Sequence, residues 1–230
     1  MSTPNPAAPK PAHPHCLIVG VGPGIGQALA LAFARENYNV SLLARNPEKL
    51  ADTVAMVRQK TARDARAFRA DAGVEASLKA AMVHARRAFG ELDVLIFNAA
   101  HAERGKPTTL SVEQLVSNFT TNVGGALVAA REAANDMRRK KAGSILFTGG
   151  GFAHEPAAEY ASLSLDKAAL RSLTYTLAQE LGGDGIHVAT VTVYGFVQTG
   201  TRFDPSRIAQ QFVALHRQPK GHFDTEVVFK

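Results

Sequence analysis

The sequence predicts an α/β fold, a doubly wound parallel sheet of seven strands with helices on both faces. Short apolar runs alternate with helical segments along the chain. These runs are nearly continuous rather than alternating with polar residues, which is typical of strands that helices cover on both faces. Strands that alternate with helices form βαβ units with right-handed crossovers and build a parallel sheet. No internal repeat or compositional shift divides the 230 residues, so we expect a single domain.

The composition is that of an ordinary globular protein, with 46% hydrophobic and 20% charged residues. The net charge of +6 suits an anionic ligand, but no basic stripe is interleaved with aromatic residues, so we expect no nucleic-acid binding. Cys16 is the only cysteine, which leaves no internal disulfide or cysteine metal site. No residue cluster has metal-ligand spacing. No apolar run approaches the ~18 residues of a membrane span and no secretory signal is visible, so we expect a cytoplasmic protein.

The predicted elements follow from apolar runs and from the residues that stop them. Residues 1–14 are rich in proline and poor in large apolar side chains, so we expect a disordered tail before a domain at 15–230. Ser111 and Gln114 form a capping-box pattern at the start of a long helix. The predicted strands cover 17–19, 39–43, 67–70, 92–97, 144–148, 186–193 and 226–229. The predicted helices cover a segment after the first glycines up to 36, then 47–60, 74–89, 111–140, 160–181 and a segment ending near 216, with a loop at 149–151.

The first strand leads directly into Gly20-Val21-Gly22-Pro23-Gly24-Ile25-Gly26, and a helical pattern follows. Glycine lets the chain turn tightly and lets a phosphate approach the backbone. The first N–H groups of the helix and the positive end of its dipole would face that phosphate. Strand, glycine turn and helix in this order predict a nucleotide phosphate site, although the spacing is GxxxGxG rather than GxGxxG.

Five further motifs follow at the ends of predicted strands or within predicted helices. They are Asp71, Asn98-Ala99-Ala100, Asn122, Lys167-Ala168-Ala169-Leu170 and Tyr194-Gly195-Phe196-Val197-Gln198-Thr199. Together with the glycine turn, they resemble in order and spacing the motifs of the short-chain dehydrogenase/reductase family over nearly all of 15–230. The resemblance implies a Rossmann-like fold with strand order 3-2-1-4-5-6-7, a nicotinamide dinucleotide across the carboxyl ends of the strands and a small-molecule substrate. It also implies a homodimer or homotetramer that pairs through the helices at 111–140 and 160–181.

The end of the second strand bears on the choice of dinucleotide. A carboxylate there would bind the ribose hydroxyls of NAD, but the chain has Ala44 followed by Arg45. Arg45 offers a planar guanidinium to a 2′-phosphate. NADP is therefore favoured over NAD, although Pro23 stands where the family often has a second basic residue. The residues expected to bind the cofactor are Gly20, Gly24, Ile25, Gly26, Arg45, Asp71, Asn98, Ala99, Lys167 and Thr199.

The usual chemistry of the family needs a Tyr four residues before the catalytic Lys and a Ser thirteen residues before that Tyr. Leu163 and Gly150 occupy these two positions, so the pair expected for proton transfer and oxyanion binding is absent. An oxyanion donor is worth ~10²–10³ in rate and a general acid ~10²–10⁴. A site that lacks both and has no replacement would reduce a carbonyl poorly.

Tyr160 is a candidate replacement, seven residues before Lys167. Seven residues are two helical turns, ~10 Å along the axis, so both side chains would share a face. This spacing is similar to that of the divergent enoyl-thioester reductases of the family. Lys167 would orient the cofactor, Asn122 would support Lys167, and Tyr160 would donate to the substrate oxygen. Ser162, Ser164 and His154 are further candidate donors, and His101 and His154 are expected to be rim residues rather than bases.

The sequence leaves two functions open. The leading prediction is an NADP-dependent oxidoreductase that acts on a small carbonyl or on a conjugated enone or enoyl substrate. The alternative is a non-catalytic NADP(H)-binding sensor or partner protein on a degenerate dehydrogenase fold, which Leu163 and Gly150 favour. The fold alone does not decide between them.

Overall fold

The computed structural model describes residues 13–230, so the tail predicted at 1–14 lies almost entirely outside the described residues. The strands are β1 (His15–Val19), β2 (Asn39–Ala44), β3 (Ala65–Arg69), β4 (Val94–Phe97), β5 (Gly143–Gly150), β6 (Ile186–Val193) and β7 (Glu226–Phe229). They form one seven-stranded sheet in the order β3-β2-β1-β4-β5-β6-β7. All six neighbouring pairs are parallel. The predicted fold class and strand order are confirmed.

Helices cover both faces of this sheet. They are α1 (Ile25–Arg35), α2 (Ala51–Thr61), α3 (Glu75–Phe89), α4 (Val112–Phe119), α5 (Gly125–Lys140), α6 (Ala161–Leu181) and α7 (Pro205–His216). Successive residues of a strand point to opposite faces. In β1, Leu17 and Val19 therefore enter the core beneath α3, α5 and α6, whereas Cys16 and Ile18 enter the core beneath α1, α2 and α7. Within 13–230, no helix combines the length and the apolar character needed to cross a bilayer.

The prediction of a loop at 149–151 is wrong for its first two residues, because β5 continues to Gly150. Gly149 and Gly150 pair with β6 in register. A side chain at 149 would be crowded, since a Cβ there would lie 2.5 Å from the Thr190 hydroxyl oxygen. Glycine thus lets β5 and β6 stay paired up to the carboxyl-terminal edge of the sheet.

The long helix predicted at 111–140 begins as expected but is not continuous. The Ser111 hydroxyl accepts from the Gln114 N–H at 3.1 Å, and the Ser111 N–H donates to Gln114 Oε1 at 3.2 Å. A π-helical turn, Thr120–Gly124, then separates α4 from α5. Such turns widen the helix locally and occur often at functional sites. Asn122 lies in this turn and is buried.

His15 is a fully buried histidine at the start of β1. Its Nδ1 lies 2.9 Å from the Gly90 carbonyl oxygen and its Nε2 lies 2.8 Å from the Ser41 hydroxyl oxygen. Burial lowers the pKa of His15 from its ordinary 6.5 to about 4. The folded chain therefore holds this imidazole in its neutral form, with both ring nitrogens bonded.

We expect the His15→Gln variant to lose part of the acid sensitivity of the protein. The unfolded chain takes up the His15 proton below pH 6.5 and the folded chain only near pH 4. The stabilisation is therefore complete above pH 6.5 and lost as the pH falls to 4, by about 3 kcal/mol.

Urea unfolding of both proteins at pH ~7 and ~4 would measure this difference. Burial also lowers the pKa values of His187 and His216, so the pH dependence should shrink rather than vanish. An unchanged loss of unfolding free energy in His15→Gln would refute the assignment.

Candidate functional site

The glycine turn after β1 is held by close contact with the chain that follows β4. Gly20 has φ of +83°, in the left-handed region that favours glycine. A Cβ at this position would overlap the backbone of Ala99. Gly24 has φ of +105°, and a Cβ there would have no neighbouring atom within 4 Å. Gly20 therefore serves the packing of the turn, whereas Gly24 leaves open space above it.

The first turn of α1 faces this open space. Gly24 is its N-cap residue, and no side chain caps the helix. The first N–H groups of a helix lack partners within it, and its dipole is positive at that end. A Cβ at Gly26 would lie 2.9 Å from the Val21 Cα, so this buried glycine brings α1 close to the turn. The arrangement fits a phosphate on uncapped N–H groups.

A cleft of about 310 Å³ opens beside the glycine turn, at the carboxyl ends of β1, β2 and β4. It brings together five of the residues predicted to bind the cofactor: Gly20, Arg45, Asp71, Asn98 and Ala99. The Asp71 carboxylate is oriented by the Gly73 N–H, which donates to its Oδ1 at 2.9 Å. Arg45 is exposed at the rim of this cleft.

Gly24 and Thr199 lie together in an adjoining hollow of about 250 Å³ rather than in this cleft. Asp204 lines the same hollow and caps α7 by accepting from the Ser206 N–H at 2.8 Å. Thr199 is therefore close to the start of α1 and lines a different hollow from Arg45.

A second and larger cleft, of about 720 Å³, contains the residues predicted to take part in chemistry. Its lining includes Ile25, Arg104, Thr148, Gly150, Phe152, Tyr160, Leu163, Lys167, Val193, Tyr194, Phe196 and Val197. Apolar and polar side chains both line this cleft, and Glu155 adds a carboxylate to it. Phe196 is 83% exposed at the rim, so the cleft has an apolar edge that a bound molecule would cover.

One chain of hydrogen bonds joins the glycine turn to Lys167. Asn98 Nδ2 donates to the Gly20 carbonyl at 2.8 Å, and Asn98 Oδ1 accepts from the Thr148 hydroxyl at 2.9 Å. Lys167 Nζ donates to the Thr148 carbonyl at 2.6 Å. The ends of β1, β4 and β5 and the middle of α6 are therefore fixed relative to one another.

Lys167 is partly buried at the floor of the larger cleft. Burial lowers the pKa of Lys167 from 10.5 to about 8, and the charge of Asp166 opposes this effect. The side chain is therefore mostly a cation at neutral pH but gives up its proton more readily than an exposed lysine.

Among the described residues, Asn122 bonds to Asp166, the neighbour of Lys167, and makes no hydrogen bond to Lys167 itself; that it supports Lys167 stays a prediction. Its Nδ2 donates to Asp166 Oδ2 at 2.7 Å and to the His101 carbonyl at 2.9 Å, and its Oδ1 accepts from the His101 N–H at 2.6 Å. Asp166 is buried, and its Oδ1 has no hydrogen-bond partner among the described residues. Burial raises the pKa of Asp166, against the bond from Asn122.

Tyr160 is the residue immediately before α6, and the segment after β4 holds it in place. The Gly105 N–H donates to the Glu159 carbonyl at 3.0 Å, and the Ala161 N–H donates to the Gly105 carbonyl at 3.1 Å. The Tyr160 ring stacks on Phe152 with centroids 5.5 Å apart. Tyr160 thus lies outside the helix, and the backbone bonds of the residues on either side of it hold its side chain in the cleft.

The positions that resemble the usual Tyr and Ser sites of the family also line this cleft, as Leu163 and Gly150. A Cβ at Gly150 would lie 3.5 Å from Lys167 Cε, an ordinary contact. The place of the expected serine is therefore open and faces Lys167, while Leu163 contributes an apolar wall.

The other candidate donors have bonds elsewhere. The Ser162 hydroxyl accepts from Asn118 Nδ2 at 3.1 Å, and the Ser164 hydroxyl donates to the Tyr160 carbonyl at 2.9 Å. His154 Nε2 lies 2.9 Å from Glu226 Oε1, and His101 is exposed. Across 13–230, no group of three or more His, Cys, Asp or Glu residues could hold a metal ion.

Three site residues were missed by reasoning from the sequence. Thr148 links Asn98 to Lys167, Asp166 receives the bond from Asn122, and Arg104 donates from Nε to the Tyr160 phenol oxygen at 3.1 Å. Asp166 carried a signal, because a charged residue next to Lys167 on a helix that must pack is unusual. Arg104 carried none, since it belongs to a segment without periodicity.

Residues 14–206 match the short chain dehydrogenase family. The match spans most of the chain, and the protein belongs to that family. Its fold, its glycine turn and the two clefts at the carboxyl ends of the strands agree with this assignment.

Similar proteins support the same conclusion. The chain is 30% identical over 164 residues to a 2,3-dihydro-2,3-dihydroxybenzoate dehydrogenase of Bacillus subtilis, a match that covers 71% of this chain and 62% of that relative. A short-chain dehydrogenase from Rhodopseudomonas palustris is 26% identical with a TM-score of 0.86, covering 96% of this chain and 99% of that one. A metagenomic short-chain oxidoreductase in complex with NADP is 24% identical with a TM-score of 0.85, covering 94% and 96%, and shows the same fold.

We expect Gly20→Ala to destabilise the protein by more than ~2 kcal/mol, because a Cβ would overlap the Ala99 backbone and require strain at a positive φ. Gly22→Ala is the matched control in the same turn, since no atom lies within 4 Å of a Cβ there. Urea unfolding of both variants measures the difference. Equal stability of the two variants would contradict the contact.

Proposed function

We propose that this chain is an oxidoreductase that uses NADP(H) to reduce a small carbonyl or a conjugated enone or enoyl substrate. The observation that carries the proposal is the placement of Lys167, Tyr160 and Ile25 around one cleft of about 720 Å³, next to the glycine turn. Membership of a dehydrogenase family and the complex of a structural neighbour with NADP support it.

The described residues fit a dinucleotide. The uncapped start of α1 and the open space over Gly24 suit the diphosphate. The smaller cleft would take the adenosine half, with Asp71 toward the adenine and Arg45 toward a 2′-phosphate. Lys167 would bind the ribose hydroxyls of the nicotinamide half, which brings the nicotinamide into the larger cleft. When bound, such a cofactor supplies a hydride.

Tyr160 is the proposed proton donor to the substrate oxygen. Its phenol lines the larger cleft, and its ring is fixed between Phe152 and Arg104. Hydride addition to a conjugated alkene or a carbonyl places negative charge on an oxygen, and a hydrogen-bond donor there lowers the barrier. Leu163 and Gly150 supply no hydrogen-bond donors. We therefore assign the proton transfer and the oxyanion binding of the standard family site to Tyr160 and the side chains that contact it.

The apolar part of the cleft favours a substrate that has an apolar portion beside its oxygen function. Leu163, Val193 and Phe196 provide the walls and the rim. A polyol would leave hydroxyl groups without partners against these side chains, so we favour an enone, an enoyl thioester or an activated ketone.

We also propose that the protein forms a homodimer or homotetramer through α4 and α6. Val112, Val116 and Phe119 on α4 and Leu165 on α6 are exposed, at 71%, 57%, 41% and 53%. Large apolar side chains clustered on neighbouring helices are typical of a surface that another subunit covers.

Arg45→Gln should weaken NADPH binding by roughly tenfold, because a charge-assisted pair with the 2′-phosphate is lost. The affinity for NADH, which lacks that phosphate, should change little. Lys49→Gln is the control, because it removes the same charge a short distance further along the chain, outside the cleft. Fluorescence titration of the three proteins with both nucleotides tests the NADP preference, and equal losses for NADPH and NADH would disprove it.

Tyr160→Phe should lower NADPH oxidation by ~10²-fold or more on the substrate that the wild type uses, while NADPH binding stays intact. The variant keeps the stacking on Phe152 and loses only the hydroxyl. A panel of enones, enoyl thioesters, quinones and simple ketones would be screened first. Tyr175→Phe is the control, since its hydroxyl bonds to Glu226 and not to the cleft.

The double variant Leu163→Tyr, Gly150→Ser separates the proposal from the standard mechanism. A serine at 150 meets Lys167 only at contact distance, so the variant should fold. Ketone reduction that appears only in the double variant would show that the native site is not adapted to simple ketones. Tight NADPH binding without turnover of any substrate in the panel would instead favour the cofactor-binding sensor.

A further inference from the structure

Arg104 is the one charged side chain that contacts the Tyr160 phenol among the hydrogen bonds and ring contacts of the described chain. We propose that Arg104 is the charge partner of Tyr160. It fixes the phenol so that the O–H is free to donate, and its positive charge stabilises the phenol oxygen once the proton has left. This inference rests on the proposed function and adds the group that makes Tyr160 effective.

Arg104 is the donor in its hydrogen bond with the Tyr160 phenol. Arg104 Nε lies 3.1 Å from the Tyr160 oxygen, and a guanidinium can only donate. The phenol oxygen is therefore the acceptor, and its own hydrogen remains available to a substrate in the cleft. Arg104 Cζ also lies 5.6 Å from the centroid of the Tyr160 ring, a second electrostatic contact that holds the ring.

Two of the neighbouring acidic side chains lie against other residues. Glu159 pairs with Lys106 at 3.3 Å, and Glu103 lies 3.7 Å from His101. Within 13–230, Arg104 itself has no salt bridge to a carboxylate at 4.0 Å or less. Its charge is thus directed to Tyr160 rather than neutralised by a carboxylate contact.

The charged groups around Tyr160 come from three segments. They are Glu103, Arg104 and Lys106 after β4, Glu155 and Glu159 before α6, and Lys167 on α6. Lys167 Nζ donates to the Thr148 carbonyl at 2.6 Å, so this ammonium is directed to β5. The bond to Tyr160 raises the pKa of Arg104 above its ordinary value, and Arg104 keeps its charge throughout.

Arg104 neither gains nor loses a proton in the proposed reaction step. The reduced nicotinamide dinucleotide of the proposed function is the reductant, and a hydride adds to the electrophilic carbon of the substrate. The electron pair of the C=O bond moves to the substrate oxygen, which takes the proton from the Tyr160 O–H. The phenolate that remains lies against the guanidinium until water returns a proton.

The experiment compares Arg104→Gln with Lys106→Gln. Both variants remove one positive charge from the same segment, and Lys106 does not line the larger cleft. The first readout needs no turnover. Tyrosinate formation is followed by ultraviolet absorbance, and the contribution that Tyr160→Phe removes is assigned to Tyr160. Burial raises the pKa values of the other three tyrosines, Tyr38, Tyr175 and Tyr194.

We expect the Tyr160 ionisation to move to higher pH in Arg104→Gln and to move less in Lys106→Gln. An equal movement in both variants would overturn the proposal, because it would show a general field effect. Thermal unfolding of the same samples checks that each variant is folded, and Arg104→Lys serves as a second variant that retains charge.

The second readout is kinetic. kcat should fall by roughly 10- to 100-fold in Arg104→Gln, as for loss of a charge-assisted hydrogen bond, with little change in KM. Arg104→Lys should recover part of this loss. A rise in KM with unchanged kcat would contradict the proposal and identify Arg104 as a substrate-binding residue. If no substrate is reduced by the wild type, the proposed function fails, and the titration still decides whether Arg104 governs Tyr160.

Discussion

The side-chain amide of Asn98 connects the ends of three adjacent strands. It donates to the carbonyl of Gly20 after β1 and accepts from the hydroxyl of Thr148 in β5. The carbonyl of Thr148 in turn receives the ammonium of Lys167. The glycine turn and the lysine therefore depend on one neutral residue that uses its donor and its acceptor at the same time. A residue with only acceptors, such as aspartate, could not make both bonds.

The same edge of the sheet shows how the chain accommodates a tyrosine outside the usual helical pair. Residues four apart on a helix meet because the helix places them together. Tyr160 precedes α6, so no helical geometry sets its position. The backbone bridge with Gly105 and the stacking on Phe152 do this instead. The segment after β4 thereby both positions the phenol and brings Arg104 to it.

Most of the fold could be predicted from the sequence, because buried parallel strands are continuous apolar runs and their order follows from the family resemblance. The capping box at Ser111 was also visible. The π-helical turn around Asn122 was not, because the pattern at 111–140 was read as one continuous helix; in this turn Asn122 bonds to the His101 backbone and to Asp166. Gly149 looked like a loop residue, but it is a strand residue that avoids the Thr190 side chain.

The candidate site could also be predicted only in part. The glycines, Arg45, Asp71 and Lys167 could be placed because each follows a strand or lies on a strongly patterned helix. The contacts of their side chains could not be predicted. Thr148 and Arg104 act through hydrogen bonds between segments distant in the chain, and no periodic pattern in the sequence indicates such bonds.

The proposed roles of Lys167, which binds the cofactor, and Arg104, which stabilises the Tyr160 oxygen, follow from the different partners of the two cations. Burial brings the pKa of Lys167 down to about 8, and its Nζ is bonded to a backbone carbonyl. Such a lysine is suited to ribose hydroxyls, because a hydroxyl is a neutral acceptor. It can bind to the ammonium beside the Thr148 carbonyl without bringing a further charge into the cleft. The developing phenolate at Tyr160 requires a full and permanent positive charge. A guanidinium supplies one at any physiological pH. Because the two cations are separate, Lys167 can hold the cofactor in place while Arg104, in the segment after β4, stabilises the charge on the Tyr160 oxygen.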